Sequence, residues 1–145
     1  MANSRLWILM AGATVLAACS TGDGGSKPAD VCAALLAGDE EVDTDLREMG
    51  SSVEAYCACY ETSLASVTEE GRQTVLKVSQ VIANLRAEQN LDVDEAAGLL
   101  DEDTGELYGV TEAEFRTTGE FVDNVRRTMR DNGGQCPASA VDDVG

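Results

Sequence analysis

Apolar residues recur at three- and four-residue intervals along most of the chain between Val31 and Met129. That is the period of α-helices with one buried face. Over 51–67 the stripe is Val53, Tyr56, Cys57, Tyr60, Leu64 and Val67. Ser51 and Glu54 have capping-box spacing, which predicts where this helix starts. Its other face is small and polar: Ala55, Cys59, Thr62, Ser63 and Ser66. Thr68 is the predicted cap of a second helix, Glu69 to Gln89, striped by Val75, Val78, Ile82 and Leu85 with Leu76 and Val81 beside them. The valines suit a strand, but the spacing and length decide for helix. A third helix spans 112–132, opened by the capping box Thr111 to Glu114 and striped by Phe115, Val122, Val125 and Met129, with Phe121 adjacent. Arg126, Arg127 and Arg130 crowd its last turns, where cations suit the helix dipole. Gly133-Gly134 stops it.

Two shorter helices complete the pattern. Asp30 caps one over Val31 to Ala37, closed by Gly38, with Cys32, Leu35 and Leu36 on one face. The other starts at Asp92 or Asp94 and runs through Leu99 and Leu100. The acidic run Asp39-Glu40-Glu41-Val42-Asp43-Thr44-Asp45 reads as a solvated loop or a fraying first turn, with Leu46 and Met49 in one further turn before Gly50. No internal repeat or strand signal is visible. The expected fold is therefore all-α, a small bundle of three main helices plus two short ones. Short connections favour antiparallel neighbours, so 51–67 and 69–89 are expected to form a hairpin, with 112–132 returning alongside.

Ahead of this pattern lies a different kind of segment. Arg5 is followed by the apolar run Leu6 to Leu16, too short for a bilayer span of roughly 20 residues. Then comes Leu16-Ala17-Ala18-Cys19, which resembles the lipobox of bacterial lipoprotein precursors. The resemblance covers residues 1–19 only. It implies a signal peptide over 1–18 and cleavage before Cys19, whose thiol carries a diacylglyceryl group and whose new amino group is acylated, with palmitate-type chains. Two or more acyl chains anchor a protein stably where one does not. The membrane is then a partner through the acyl chains on Cys19. Ser20 stands where aspartate would retain such a protein at the inner membrane, so the resemblance implies the outer membrane, facing the periplasm. Residues 19–28, rich in Gly and Ser, read as a tether, residues 29–137 as a single domain, and 138–145 as a frayed tail.

Charge and cysteines sharpen this picture. The formal charge is −17, and loss of Arg5 with the leader makes it −18. Such a surface repels nucleic acid, which removes that class of partner. An envelope protein is the candidate partner instead. Four cysteines remain beside Cys19: Cys32, Cys57, Cys59 and Cys136. An even number in an exported chain implies two disulfides. Cys57 and Cys59 point about 200° apart on a helix and cannot bridge each other. Two pairings remain. A third helix parallel to the first would bring Cys136 near Cys59, which favours Cys32–Cys57 with Cys59–Cys136.

Candidate chemistry is sparse. There is no histidine, and so no imidazole base. No nucleophile motif or phosphate loop is present, and neither a catalytic residue nor a cofactor is expected. Two binding chemistries stay open as alternatives. One is a cation site over 101–112, where Asp101, Asp103 and Glu112 take EF-hand positions one, three and twelve. Gly105 sits one place early there, and Glu106 occupies the position that needs glycine, so the pattern departs from a calcium loop and no metal ligand is assigned. The other is a thiol or zinc site built from the four cysteines.

Overall fold

In a computed structural model of the chain, residues 26–101 and 105–137 are described. The signal segment 1–18, Cys19, most of the tether, Asp103 and the 138–145 tail lie outside the described residues. Six α-helices follow one another: α1 Pro28–Leu36, α2 Glu40–Glu48, α3 Val53–Ala65, α4 Glu69–Gln89, α5 Val93–Asp101 and α6 Glu112–Asp131. A 3₁₀ turn, Gly105–Tyr108, links α5 to α6. The fold is all-α, with no strand among the described residues.

The helix starts follow local chemistry. Pro28 opens α1, where its missing N–H costs nothing. Thr68 caps α4 by accepting from the Gly71 N–H at 3.2 Å. Thr111 and Glu114 form a reciprocal capping box on α6, with Glu114 N donating to Thr111 Oγ1 at 3.2 Å and Thr111 N donating to Glu114 Oε2 at 2.9 Å. Asn90 ends α4 in the left-handed region at φ 55°, a conformation asparagine tolerates.

One helix start differs: α1 begins at Pro28, so Asp30 lies in its first turn and is not its cap. Three further expectations are corrected. The acidic run at 39–45 is not a loop: it forms most of α2, with Asp39 at the cap and Glu40, Glu41 and Asp43 in the first turn. Carboxylates at a helix N-terminus are favourable, so of the two readings of this run the first turn holds and the loop does not. The cap of α3 is Ser52, whose Oγ accepts from Ala55 N at 3.2 Å, one residue later than expected. The Ser51 hydroxyl is buried without a hydrogen-bond partner among the described residues.

The third correction concerns packing. Helices α3 and α4 are not a side-by-side hairpin. Helix α1 packs against both of them, and so does α6. Consecutive helices α3 and α4 thus face each other across the core, and α1 and α6 fill the two sides. Cys32 pulls α1 onto α3, and the Tyr60–Phe121 ring pair, centroids 5.2 Å apart and nearly perpendicular, seats α6 on α3. Across the diagonal, the Tyr60 side chain reaches α4 in a buried hydrogen bond of 3.0 Å between the Tyr60 and Ser79 hydroxyls. Tyr60, Leu64, Val75, Val78, Val125 and Met129 form the sealed centre.

Candidate functional site

Two constructions carry the chemistry of this domain. The first is the cysteine set on α3. Cys57 is bonded to Cys32 of α1, with Cα atoms 5.5 Å apart, and Cys59 to Cys136, with Cα atoms 5.3 Å apart. Of the two pairings open from the helical period, the chain has this one. All four described cysteines are thereby consumed, and no thiolate among them is left to ligate a metal. Cys19 lies outside the described residues.

Cys59 does not sit on an open polar face, as its neighbours suggested. It is 0% exposed, although Ala55 and Thr62 on its side of the helix are exposed and Ser63 is half-exposed. The segment after α6, residues 133–137, brings Cys136 over it. That segment can come this close because of Gly134, which has φ +84° and is buried. Any β-carbon there would collide with the carbonyl of Met49 and with Gly50.

The second construction is a buried ion pair that sequence reasoning missed. Asp39 and Arg86 are 6% and 8% exposed, and Asp39 Oδ2 lies 3.5 Å from the Arg86 guanidinium. Each of them serves two helix ends. Asp39 Oδ1 accepts from Val42 N of α2 at 3.0 Å, and Oδ2 accepts from Val93 N of α5 at 2.9 Å. Arg86 donates to the carbonyls of Leu35 and Ala37 at the end of α1, the latter at 3.2 Å. Its Nε also donates at 3.2 Å to Leu91 O, just beyond the end of α4. The anion satisfies two positive helix ends and the cation two negative ones, which complements the dipoles. Burial pushes the Asp39 carboxyl up, but it is outweighed by the Val42 and Val93 N–H groups, the Arg86 guanidinium and the Glu41 N–H. The net effect holds Asp39 below its ordinary 3.8.

A sequence signal for this pair existed. Arg86 follows Ile82 by four residues and Leu85 by one, so it lies on the buried edge of the α4 stripe. Gly38-Asp39 is a helix stop followed at once by a helix start. Nothing local joined the two residues.

Beside the pair opens a cleft of about 590 Å³ whose lining includes Ala34, Ala37, Ala83 and Ala87 together with Glu40 and Asp92. Its lining carries carboxylates and one guanidinium but no hydroxyl, thiol or amine side chain. The buried phenols of Tyr56 and Tyr60 are both pushed up, first by burial, and stay protonated at neutral pH. Asp39 stays ionised.

The remaining candidate residues separate. Asp101 is exposed at the end of α5 and Glu112 at the start of α6, and the chain between them turns through the 3₁₀ segment with Val110 N donating to Gly105 O at 2.9 Å. Among the described residues no three cysteines or carboxylates converge on a point where a metal would sit. Arg126 pairs with Asp45 of α2, while Arg127 and Arg130 are exposed. No protein-family model matches the chain, and neither a curated protein nor a solved structure matches it.

Proposed function

We propose that this protein is a lipid-anchored lipoprotein of the bacterial cell envelope whose helical domain is a non-enzymatic binding or structural module. The observation that carries the proposal is Leu16-Ala17-Ala18-Cys19 directly after the apolar run Leu6 to Leu16. Small residues let a peptidase reach an extended backbone at the membrane surface, and the thiol is the acceptor for the lipid. The cysteine bookkeeping supports the reading: the other four are spent in two disulfides, which fits an oxidising compartment and leaves Cys19 as the lipid acceptor. The absence of histidine and the phenols and carboxylate locked away from neutral titration support a role in binding rather than catalysis. The surface charge makes an envelope protein a better partner than nucleic acid. With no polybasic segment, attachment rests on the acyl chains, and the protein belongs at the outer membrane, facing the periplasm.

The test is the mass of the N-terminal peptide after expression in a Gram-negative host fed labelled palmitate. The expected peptide begins at Cys19, bears the lipid and fractionates with outer membranes, and Cys19→Ala removes both label and attachment. An unlipidated chain starting at Cys19 in the soluble fraction would overturn the reading.

A further inference from the structure

The two disulfides differ in access. Cys32 is 0% exposed and Cys57 3%, with α1 packed across α3 and α4 above them. In the other bond Cys59 is sealed but Cys136 is only half-buried. Cys136 lies on a segment held, beside the disulfide, by the packing of Gly134 on Met49 and Gly50 and by backbone hydrogen bonds to its own helix. The hydrogen bonds from the backbone N–H groups of 133–135 all run back into the end of α6: Gly133 N to Arg130 O, Gly134 N to Met129 O, and Gln135 N to Asn132 O. Among the described residues none reaches α2 or α3. The Cys59–Cys136 bond is the covalent tie that holds this segment down, with Gly134 packed on Met49 and Gly50 beneath it.

We propose that Cys59–Cys136 is a thiol-exchange site, a latch that an exported dithiol opens while Cys32–Cys57 remains closed. The attacking thiolate approaches Cys136 Sγ, because Cys136 is the partly exposed residue of the pair and Cys59 is sealed. A bond forms between the attacker and Cys136, the Cys59–Cys136 bond breaks, and the electron pair leaves on Cys59 Sγ, which takes a proton. The second thiol of the dithiol then attacks the attacker's own sulfur in the mixed disulfide and releases the Cys136 thiol. Two electrons pass to the protein, and the dithiol becomes a disulfide. The 133–137 segment is then free to lift from α3, and Cys59 is uncovered between the already exposed Ala55 and Thr62. The six helices keep their capping residues and the Cys32–Cys57 tie, so the bundle persists with the latch open. This site does not depend on lipid attachment at Cys19.

The experiment uses the full oxidised chain in graded dithiothreitol without denaturant, quenched with N-ethylmaleimide and mapped by peptide mass. Cys59 and Cys136 should be alkylated about tenfold or more ahead of Cys32 and Cys57, because access limits exchange. A population labelled at those two residues alone should accumulate with its far-ultraviolet dichroism unchanged. A Cys32→Ala/Cys57→Ala variant should open its remaining bond at the wild-type rate. Simultaneous labelling of all four cysteines, earlier labelling of Cys32 and Cys57, or labelling only after denaturant is added would each overturn the proposal.

Discussion

The covalent and the ionic ties of this domain solve the same problem by opposite means. At α3, two disulfides pin a helix to α1 and to the segment after α6. At the far end of α1, one carboxylate and one guanidinium gather the ends of four helices. The disulfides act largely by restricting the unfolded chain. The ion pair acts only in the folded state, where it satisfies backbone groups that burial would otherwise leave unpaired. The first device tolerates a modest aliphatic core, whereas the second requires the core to be right before it forms. A small domain with few aromatics uses the first to hold its helices near each other and the second to fix where they end.

The comparison can be broken most severely at the disulfides. Cys59 and Cys136 are 77 residues apart and Cys32 and Cys57 only 25. Loop-closure entropy then predicts a loss of about 4.5 kcal/mol for Cys59→Ala/Cys136→Ala and about 3.5 kcal/mol for Cys32→Ala/Cys57→Ala in urea unfolding. A reversed order would show that the packing of the sealed Cys32–Cys57 bond outweighs chain entropy.

Next comes the ion pair. Arg86→Ala strands Asp39 and frees carbonyls at two helix ends, and should cost about 3 kcal/mol in the same measurement. A loss below about 1 kcal/mol would mean that the pair contributes no more than a surface bridge does.

Asp39→Asn keeps an acceptor for one helix and loses the charge, so it should cost about 1–2 kcal/mol at neutral pH. The sign of its pH dependence follows from the depressed carboxyl. The contribution is complete above the unfolded pKa of about 3.9 and is lost as the pH falls through the lower folded value. The difference between wild type and Asp39→Asn should therefore shrink below about pH 4. Repulsion among the 27 acidic residues relaxes over the same range, so the difference between the two curves is the quantity to follow.

The smallest effects separate two adjacent serines. Ser52→Ala removes the α3 cap and should cost about 1 kcal/mol. Ser51→Ala removes a buried hydroxyl that has no partner, and should be neutral or slightly stabilising. Equal losses would restore Ser51 as the cap.

These residues also show what kind of information was local. Thr68, Thr111 and Glu114 were legible as caps because a cap bonds within three residues of itself. The capping-box spacing put the α3 cap at Ser51 and it falls at Ser52, since adjacent serines offer the same chemistry in either register and packing chooses between them. The acidic run offered either a solvated loop or a helix's first turn, and the burial of Asp39 that goes with the second depends on Arg86, far along the chain. The diagonal placement of α3 and α4 was hidden for a similar reason. A short connection suggests a hairpin, but α1 and α6 compete for the same faces and are tied there by Cys32 and by Phe121.

The chain by itself determined the helical class, the stripes that become the core, and the impossibility of a Cys57–Cys59 bond. All of these follow from a period of 3.6 residues and from composition. It also carries the Leu16-Ala17-Ala18-Cys19 signal on which the proposed anchoring rests. Only the tertiary structure decided that Cys59 is sealed while Cys136 is partly exposed, that Asp39 meets Arg86, and that four helix ends share one ion pair. Those are contacts between residues distant in sequence, whose energy depends on burial. Burial is a property of the assembled helices, and no local window of the chain contains it.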